Sequence, residues 1–152
     1  MINIREGVKN DLPRVLELIK ELAVYEKAGD QVDNTVEQME KDGFGANPIF
    51  GLYVAESNGD IVGIAIYYYR YSTWKGKRMY LEDIVVTQEH RGKGIGKLLF
   101  EQVINKGKAE NCSGMVWQVL DWNEPAINFY KKYYQAYLDA EWINCSIDLS
   151  KH

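Results

Sequence analysis

The chain is poor in the residues that build disulfide frameworks and metal sites. Its 152 residues include only two cysteines, Cys112 and Cys145, and two histidines. No CxxC motif and no Cys/His ligand spacing is present, so we expect no metal centre. A single disulfide is possible but nothing in the spacing suggests one. Two solitary thiols favour a reducing compartment, and we expect a cytoplasmic protein.

Long apolar runs and an excess of positive charge are also missing. The longest apolar run, Ile61 to Tyr69, is far shorter than the roughly 20 residues of a membrane-spanning helix. The charged N-terminus does not resemble a signal peptide. The formal net charge of −4 argues against nucleic-acid binding and is compatible with a cationic small-molecule substrate. We expect one soluble domain, residues 1–152, with no membrane partner.

The spacing of apolar residues predicts a mixed α/β fold. Helical periodicity with cap signals predicts four helices. They cover the stretch from Asn10 or Asp11 to Gly29, Thr35 to Lys41, Ile95 to Lys108, and Asn123 to Tyr133. Strand patterns cover Ile2 to Arg5, Leu52 to Ala55, Ile61 to Tyr71, Arg78 to Val86, Met115 to Leu120 and Trp142 to Leu149. Ser57-Asn58-Gly59-Asp60 predicts a hairpin turn. Together these patterns predict an antiparallel meander followed by a strand-helix-strand crossover from Ile84 to Leu120, whose strands should be parallel.

The segment Arg91-Gly92-Lys93-Gly94-Ile95-Gly96, followed by Lys97, is typical of a phosphate-binding loop. Glycines let the backbone turn with positive φ, and a helix N-terminus offers unpaired N–H donors with partial positive charge. The spacing fits neither a Walker P-loop nor a dinucleotide fingerprint. The alternative is a flexible basic turn before an ordinary helix.

Two neighbouring carboxylates, Glu82 and Asp83, interrupt the apolar strand that precedes this loop. Strand alternation places them on opposite faces unless a bulge intervenes. An unpaired buried carboxylate is costly, so one must face a cleft, a cation or solvent. A structural salt bridge is one interpretation, and a catalytic base or cation anchor is the other. Tyr130 is a second candidate, because its phenol could donate a proton, although most tyrosines serve packing.

The order of elements, with the Arg91-to-Gly96 loop and the Asn123-to-Tyr130 segment, resembles the GCN5-related N-acetyltransferase (GNAT) superfamily. Within it, the chain looks like the diamine acetyltransferases, meaning spermidine/spermine N1-acetyltransferases and their thialysine-acetylating relatives. The residues that carry this likeness are Leu18 to Ala23, Tyr25-Glu26, Asp42 to Gly45, Trp74 with Gly76-Lys77, Tyr80 to Asp83, Trp122 to Pro125 and Ile127 to Lys131.

The resemblance implies a function and a set of roles. Acetyl-CoA would be the cosubstrate, with its pantetheine arm along the backbone of Ile84, Val85 and Val86. Its pyrophosphate would lie in the loop from Gly92 to Lys97. The residues Asn123, Glu124, Pro125 and Ala126 would border the cofactor. Tyr130 would protonate the departing sulfur and Glu82 would act on the substrate amine, through water.

The residues Tyr25, Glu26, Trp74, Asp83 and Glu141 are candidates to bind the amine. The family relatives imply a homodimer.

The chain departs from the diamine acetyltransferases in two places. Tyr133-Tyr134-Gln135 replaces a glycine-containing turn, which bears on the role of Glu141. Ser72-Thr73 replaces an acidic residue and a proline before Trp74, which removes an anion that could bind a long polyamine. The loss of this anion favours a shorter amine. The resemblance implies a small amine acceptor, either a polyamine or diamine or a thialysine-like amino acid. A protein acetyltransferase and a non-catalytic CoA-binding module are the alternatives.

Overall fold

A five-stranded sheet in the order β1-β2-β3-β4-β5 organises the first part of the chain. The computed structural model describes all 152 residues, which fall into two compact units, Met1–Gln118 and Val119–His152. The strands of the first unit are β1 (Ile2–Glu6), β2 (Gly51–Ser57), β3 (Asp60–Ser72), β4 (Gly76–Val86) and β5 (Met115–Val116). Its helices are α1 (Leu12–Tyr25), α2 (Val36–Phe44) and α3 (Ile95–Ala109).

The pairing of the strands confirms the predicted mixed sheet. Strands β1 to β4 form an antiparallel meander, and β5 runs parallel to β4. The β2–β3 turn has Asn58 at φ 52° and Gly59 at φ 86°, the positive values that an Asn-Gly hairpin turn requires. The turn between β3 and β4 has Gly76 at φ 87°.

Strand β5 is shorter than predicted. The sequence pattern ran from Met115 to Leu120, but only Met115 and Val116 pair, with Met79 and Tyr80 of β4. From Leu81 to Val86, β4 is paired with β3 alone. An irregularity at Glu82 accounts for this early divergence, because an extra residue bends a strand and increases its local twist. The result is an open edge along the second half of β4.

The two faces of the sheet carry separate apolar cores. On one face, α1 and α2 pack over Val54, Ile64 and Val85. On the other face, α3 buries Ile95, Leu99 and Val103 against Met79 and neighbouring side chains. Fully burying an aliphatic side chain of this size contributes about 1.5–3 kcal/mol, so both faces hold β4 firmly in place.

Asp11 directly precedes α1, but its side chain does not cap the helix, although Asn10 or Asp11 was expected to do so. Its carboxylate accepts hydrogen bonds from the Arg5 guanidinium at 2.8 and 3.0 Å and from the Val8 amide at 2.8 Å, rather than from the first helical amides. The Arg5 pairing holds the pKa of Asp11 below its usual value. The side chain therefore fastens the start of α1 to β1. None of the helices is both long and apolar enough to cross a bilayer.

The second unit contains helix α4 (Glu124–Tyr134) and a final 3-10 turn, Leu149–Lys151. The side chain of Asn123 caps α4 as predicted, accepting from the Ala126 amide at 3.4 Å. The predicted strand from Trp142 to Leu149 is wrong: residues 135–148 carry no regular secondary structure, and every side chain from 141 to 150 is exposed. The alternating apolar pattern is present, but a strand also needs a hydrogen-bonded neighbour and a covered face.

Candidate active site

The loop between β4 and α3 has the geometry of an anion cradle. Gly92 and Gly94 both adopt φ 81°, and Gly94 is the N-terminal cap residue of α3. A Cβ at either position would meet nothing within 4 Å, so the left-handed backbone, not lack of space, requires glycine. The N–H groups from Gly92 to Gly96 have no acceptor within the protein. They remain available to a phosphate at the positive end of α3.

Helix α1 fastens the start of this loop through Glu21. The Glu21 carboxylate accepts from the Thr87 hydroxyl at 3.1 Å and from the Gln88 amide at 3.0 Å. It also lies 3.8 Å from the Arg91 guanidinium. Glu21 was not among the predicted site residues. Its partners lie 66 positions or more further along the chain, so no local pattern could reveal them.

Arg91 links the loop to two other elements. Its Nε donates to the Val86 carbonyl at 3.0 Å, and its guanidinium lies 5.3 Å from the centre of the Tyr25 ring. Tyr25, which was predicted to bind the amine, thus contacts the arginine of the loop between β4 and α3. Lys93 and Lys97 are exposed beside the same loop. The loop therefore carries the positive charge that a pyrophosphate needs.

Glu82 and Asp83 lie on the same face of the sheet. In the pairing with β3, Ile66 is opposite Asp83 and Tyr67 is opposite Leu81, so Glu82 is an extra, bulged residue. The bulge reverses the alternation: Leu81 packs in the α3 core, whereas Val85 packs in the α1/α2 core. Simple alternation would have separated the two carboxylates. The bulge instead presents both towards the side that α1 covers.

Contacts around the bulge give the two carboxylates different environments. Glu82 is exposed, and its Oε1 accepts from the Tyr68 hydroxyl at 2.9 Å. Tyr68 stacks on Tyr80 with ring centres 5.1 Å apart. Burial, followed by the charges of Glu82 and Glu26, raises the pKa of Asp83 to about 6. Burial also raises the pKa of Glu26, at the end of α1.

The three carboxyl groups lie where they can attract a cation, and the raised pKa of Asp83 lets that group accept a proton near neutral pH. They are not arranged to hold a metal ion.

The backbone between the bulge and the loop is open on one side. Ile84, Val85 and Val86 pair with β3, and β5 has already diverged. An exposed strand edge offers its N–H and C=O groups to an extended ligand. This open edge lies directly between the carboxylates and the anion cradle, which suits a long ligand with a phosphate tail and a reactive end.

Trp74 lies apart from this group. It is in the turn between β3 and β4, is 84% exposed, and its amide donates to the Ser72 hydroxyl at 3.2 Å. Gly76 and Glu82 are six positions apart in β4, which is about 20 Å at 3.3 Å per residue. The first unit therefore does not bring Trp74 to the carboxylates, and its predicted role in amine binding stays a prediction.

The remaining predicted residues belong to the second unit. Asn123, Glu124, Pro125 and Ala126 form the capped first turn of α4. Burial raises the pKa of Tyr130, so its phenol stays protonated over the physiological range. Glu141 is exposed and its amide donates to the Asp139 carboxylate at 3.0 Å. The cofactor, acid and substrate roles expected of these residues stay predictions.

Known proteins share both the sequence and the fold of this chain. Residues 14–134 match the model of the acetyltransferase (GNAT) family. A thialysine N-epsilon-acetyltransferase of Bos taurus is 43% identical over 138 residues, which cover 86% of this chain and 81% of that protein. A spermidine/spermine N(1)-acetyltransferase-like protein 1 of Homo sapiens is 39% identical over 134 residues, 84% of this chain and 19% of that protein.

Among solved structures, an aminoglycoside acetyltransferase from an uncultured soil metagenomic sample has a TM-score of 0.80 and 19% identity, with 97% of each chain covered. That likeness bears on the fold alone.

Proposed function

Because the chain belongs to the acetyltransferase (GNAT) family, we propose that it transfers the acetyl group of acetyl-CoA to a primary amine of a small cationic substrate. The observation that carries the proposal is the arrangement along β4. A cluster of carboxylates, an open strand edge and an anion cradle follow one another within residues 82–96. An acetyl thioester bound along this edge would have its acetyl group near the carboxylates and its pyrophosphate at α3.

The donor half of the proposal rests on backbone groups. The N–H groups from Gly92 to Gly96, with Arg91, Lys93 and Lys97, would hold the pyrophosphate of acetyl-CoA. The edge of Ile84 to Val86 would pair with the amides of the pantetheine arm as an added strand does. Residues Asn123 to Ala126 would border the same cofactor.

The acceptor half rests on the carboxylates. An alkyl ammonium with a pKa of about 10.4 is only about one part in a few thousand neutral at pH 7, and only the neutral amine can attack a thioester. Glu82 would attract the ammonium and take its proton through a water molecule, and Asp83 and Glu26 would add negative charge. The amine nitrogen then bonds to the carbonyl carbon and the carbon–sulfur bond breaks. No covalent enzyme intermediate is required.

Tyr130 would complete the reaction by protonating the departing sulfur. A thiolate with a conjugate-acid pKa of about 8.5 leaves more readily when a neutral phenol donates to it. Burial raises the pKa of Tyr130, which keeps that proton in place.

The relatives support two acceptor classes. One is a thialysine-like amino acid, after the thialysine acetyltransferases, and the other is a polyamine or diamine, after the spermidine/spermine acetyltransferase-like protein. Trp74 and Glu141 would help to line the acceptor site. We also propose a homodimer, and a cytoplasmic location that suits the two free cysteines.

Release of CoA thiol from acetyl-CoA, measured across lysine analogues, diamines, polyamines and lysine-containing peptides, tests the proposal. We expect release that depends on a small amine. Turnover with peptides alone would identify a protein acetyltransferase instead. Binding of CoA without release in the presence of any amine would identify a non-catalytic CoA-binding module.

Replacement of Glu82 tests the acceptor chemistry. Glu82→Gln should lower the turnover number about a hundredfold at pH 7, because a general base is lost, and much less at pH 9–10, where more amine is already neutral. A full pH profile of the turnover number measures this. Glu37→Gln, an exposed change in α2, is the matched control and should follow the unmodified enzyme. A Glu82→Gln profile parallel to that of the unmodified enzyme would show that Glu82 is not the base.

A further inference from the structure

Two arginines lie directly opposite each other on the face of the sheet that carries Glu82. Arg70 of β3 is paired in register with Arg78 of β4. Like charges in directly opposed strand positions destabilise a sheet. Neither guanidinium has a carboxylate within 4 Å, since no ion pair involves Arg70 or Arg78. This end of the face therefore holds two positive charges that no protein group neutralises.

Aromatic contacts connect Arg70 to the carboxylate. The Arg70 guanidinium lies 5.6 Å from the centre of the Tyr80 ring, and Tyr80 stacks on Tyr68 at 5.1 Å. The Tyr68 hydroxyl in turn donates to Glu82 at 2.9 Å. The Arg78 guanidinium instead lies near Gly114, where a Cβ would come within 2.9 Å of it. Arg70 is thus the arginine that contacts the pair of aromatic rings leading to Glu82.

The spacing along β4 matches a particular kind of substrate. The Tyr80 ring lies under the Arg70 guanidinium, and the backbone positions of Tyr80 and Glu82 are about 7 Å apart, because they are two residues apart in a strand. An extended lysine side chain places its ammonium roughly 7 Å from its carboxylate carbon, with bonds of about 1.5 Å. Such a molecule can reach Glu82 with its side-chain amine and Arg70 with its carboxylate. A diamine or polyamine would instead bring a second ammonium towards Arg70.

We propose that Arg70 binds the carboxylate of an amino-acid substrate whose side-chain amine is held at Glu82. This inference rests on the proposed acetyl transfer to a small amine and assigns its substrate class: amino acids of the lysine and ornithine type, in preference to polyamines. The planar guanidinium suits the role, because it donates two parallel hydrogen bonds to a carboxylate. The same charge disfavours amines that lack a carboxylate, which gives selectivity by repulsion as well as attraction.

Matched substrates with and without a carboxylate test the proposal. L-lysine is compared with 1,5-diaminopentane, and L-ornithine with 1,4-diaminobutane, because each pair differs only in the carboxylate. In Arg70→Met, which keeps an apolar stem over Tyr80, we expect kcat/KM for the two amino acids to fall at least about tenfold, because both charge-assisted hydrogen bonds to the carboxylate are lost. For the two diamines kcat/KM should stay the same or rise. For Arg70→Lys, kcat/KM for the amino acids should lie between the values of the unmodified enzyme and Arg70→Met. Lysine keeps the positive charge but cannot donate two parallel hydrogen bonds to a carboxylate.

Lys77→Met is the matched control. It removes the same charge from the same hairpin, but Lys77 lies against Tyr69 and the Glu110 carbonyl on the opposite face. We expect it to leave the ratio of amino-acid to diamine kcat/KM unchanged. An unchanged ratio in Arg70→Met, with normal amine-dependent CoA release, would overturn the role of Arg70 and leave the acetyltransferase proposal standing. Absence of release with every amine in the unmodified enzyme would overturn both.

Discussion

At the scale of single residues, the Asp83 carboxyl group lies in an environment that disfavours its ionised form. Its carboxylate sits beside Glu82 and Glu26, and burial with these like charges raises its pKa to about 6. No cation of the protein lies within 4 Å to offset the cost. An ionised group held in this way disfavours the folded state, and we propose that Asp83 is present because it attracts the substrate amine. A bound ammonium would supply the missing positive charge.

The pKa of Asp83 leads to a stability prediction with a definite sign. Because the folded pKa is raised, the folded state binds the proton more tightly, and stability is lost as pH rises from about 4 to about 6. Asp83→Asn should therefore increase the free energy of unfolding at pH 8 by about 1–3 kcal/mol, and the gain should vanish near pH 4. Denaturant unfolding at both pH values measures the difference.

Asp30→Asn provides the comparison, since the Asp30 side chain is exposed and takes part in no ion pair. It should leave stability unchanged at both pH values. If Asp83→Asn were instead less stable at pH 8, the carboxylate would have a stabilising partner and the interpretation of its environment would be wrong. Lower amine affinity in the stabilised Asp83→Asn variant would connect the cost to function.

At the scale of elements, helix α1 joins the two halves of the candidate site. One turn before its end, Glu21 holds Thr87, Gln88 and Arg91 at the entry to the phosphate loop. At its end, Tyr25 lies under Arg91, and Glu26 contributes charge near Asp83. A change in α1 can therefore affect donor binding without touching the donor.

Glu21→Gln tests this positioning role. The amide keeps one acceptor oxygen but loses the charge that faces Arg91, so the loop should be less well ordered for the pyrophosphate. We expect the KM for acetyl-CoA to rise about fivefold to tenfold, with the KM for the amine and kcat almost unchanged. Hydrogen exchange at the Gln88 amide should quicken, because its acceptor is weakened.

The exposed Glu17, one turn earlier in α1 and paired with Arg14, supplies the control variant Glu17→Gln. Glu17→Gln should change neither kcat nor the KM for either substrate. Equal increases in the KM values of both substrates after Glu21→Gln would indicate a general structural role for Glu21. An unaltered KM for acetyl-CoA would show that the loop needs no support from α1.

Elements whose signals are local were predictable from the sequence. The Asn58-Gly59 turn and the glycines of the phosphate loop were predicted because asparagine and glycine are the residue types that adopt positive φ, and the residue type can be seen in the sequence alone. The bulge at Glu82 was not predicted, since it depends on register against β3. Glu21 was missed because its partners, Thr87, Gln88 and Arg91, lie in the segment that follows β4, far from Glu21 along the chain. Arg70 was missed because its proposed role depends on its pairing with Arg78 and its contact with Tyr80, both on the neighbouring strand.

At the scale of the whole molecule, the family match spans residues 14–134 and so includes helix α4 together with most of the first unit. The C-terminal segment lies beyond that match. It is rich in apolar side chains that are exposed, among them Tyr137, Trp142 and Ile143 at 88%, 73% and 86%. Soluble monomers rarely expose so much apolar surface in one segment, and covering it would be favourable.

We propose that a second copy of the chain covers this segment, so that the protein is a homodimer. Sedimentation equilibrium should give about twice the chain mass of 17.5 kDa. Ile143→Glu with Ile147→Glu should shift the protein to the monomer, because buried charges without partners oppose association. Ile49→Glu is the matched control: Ile49 and Ile147 are both 68% exposed, but Ile49 lies in the first unit. A monomeric unmodified protein, or dissociation caused by Ile49→Glu alone, would contradict a dimer formed through residues 137–149.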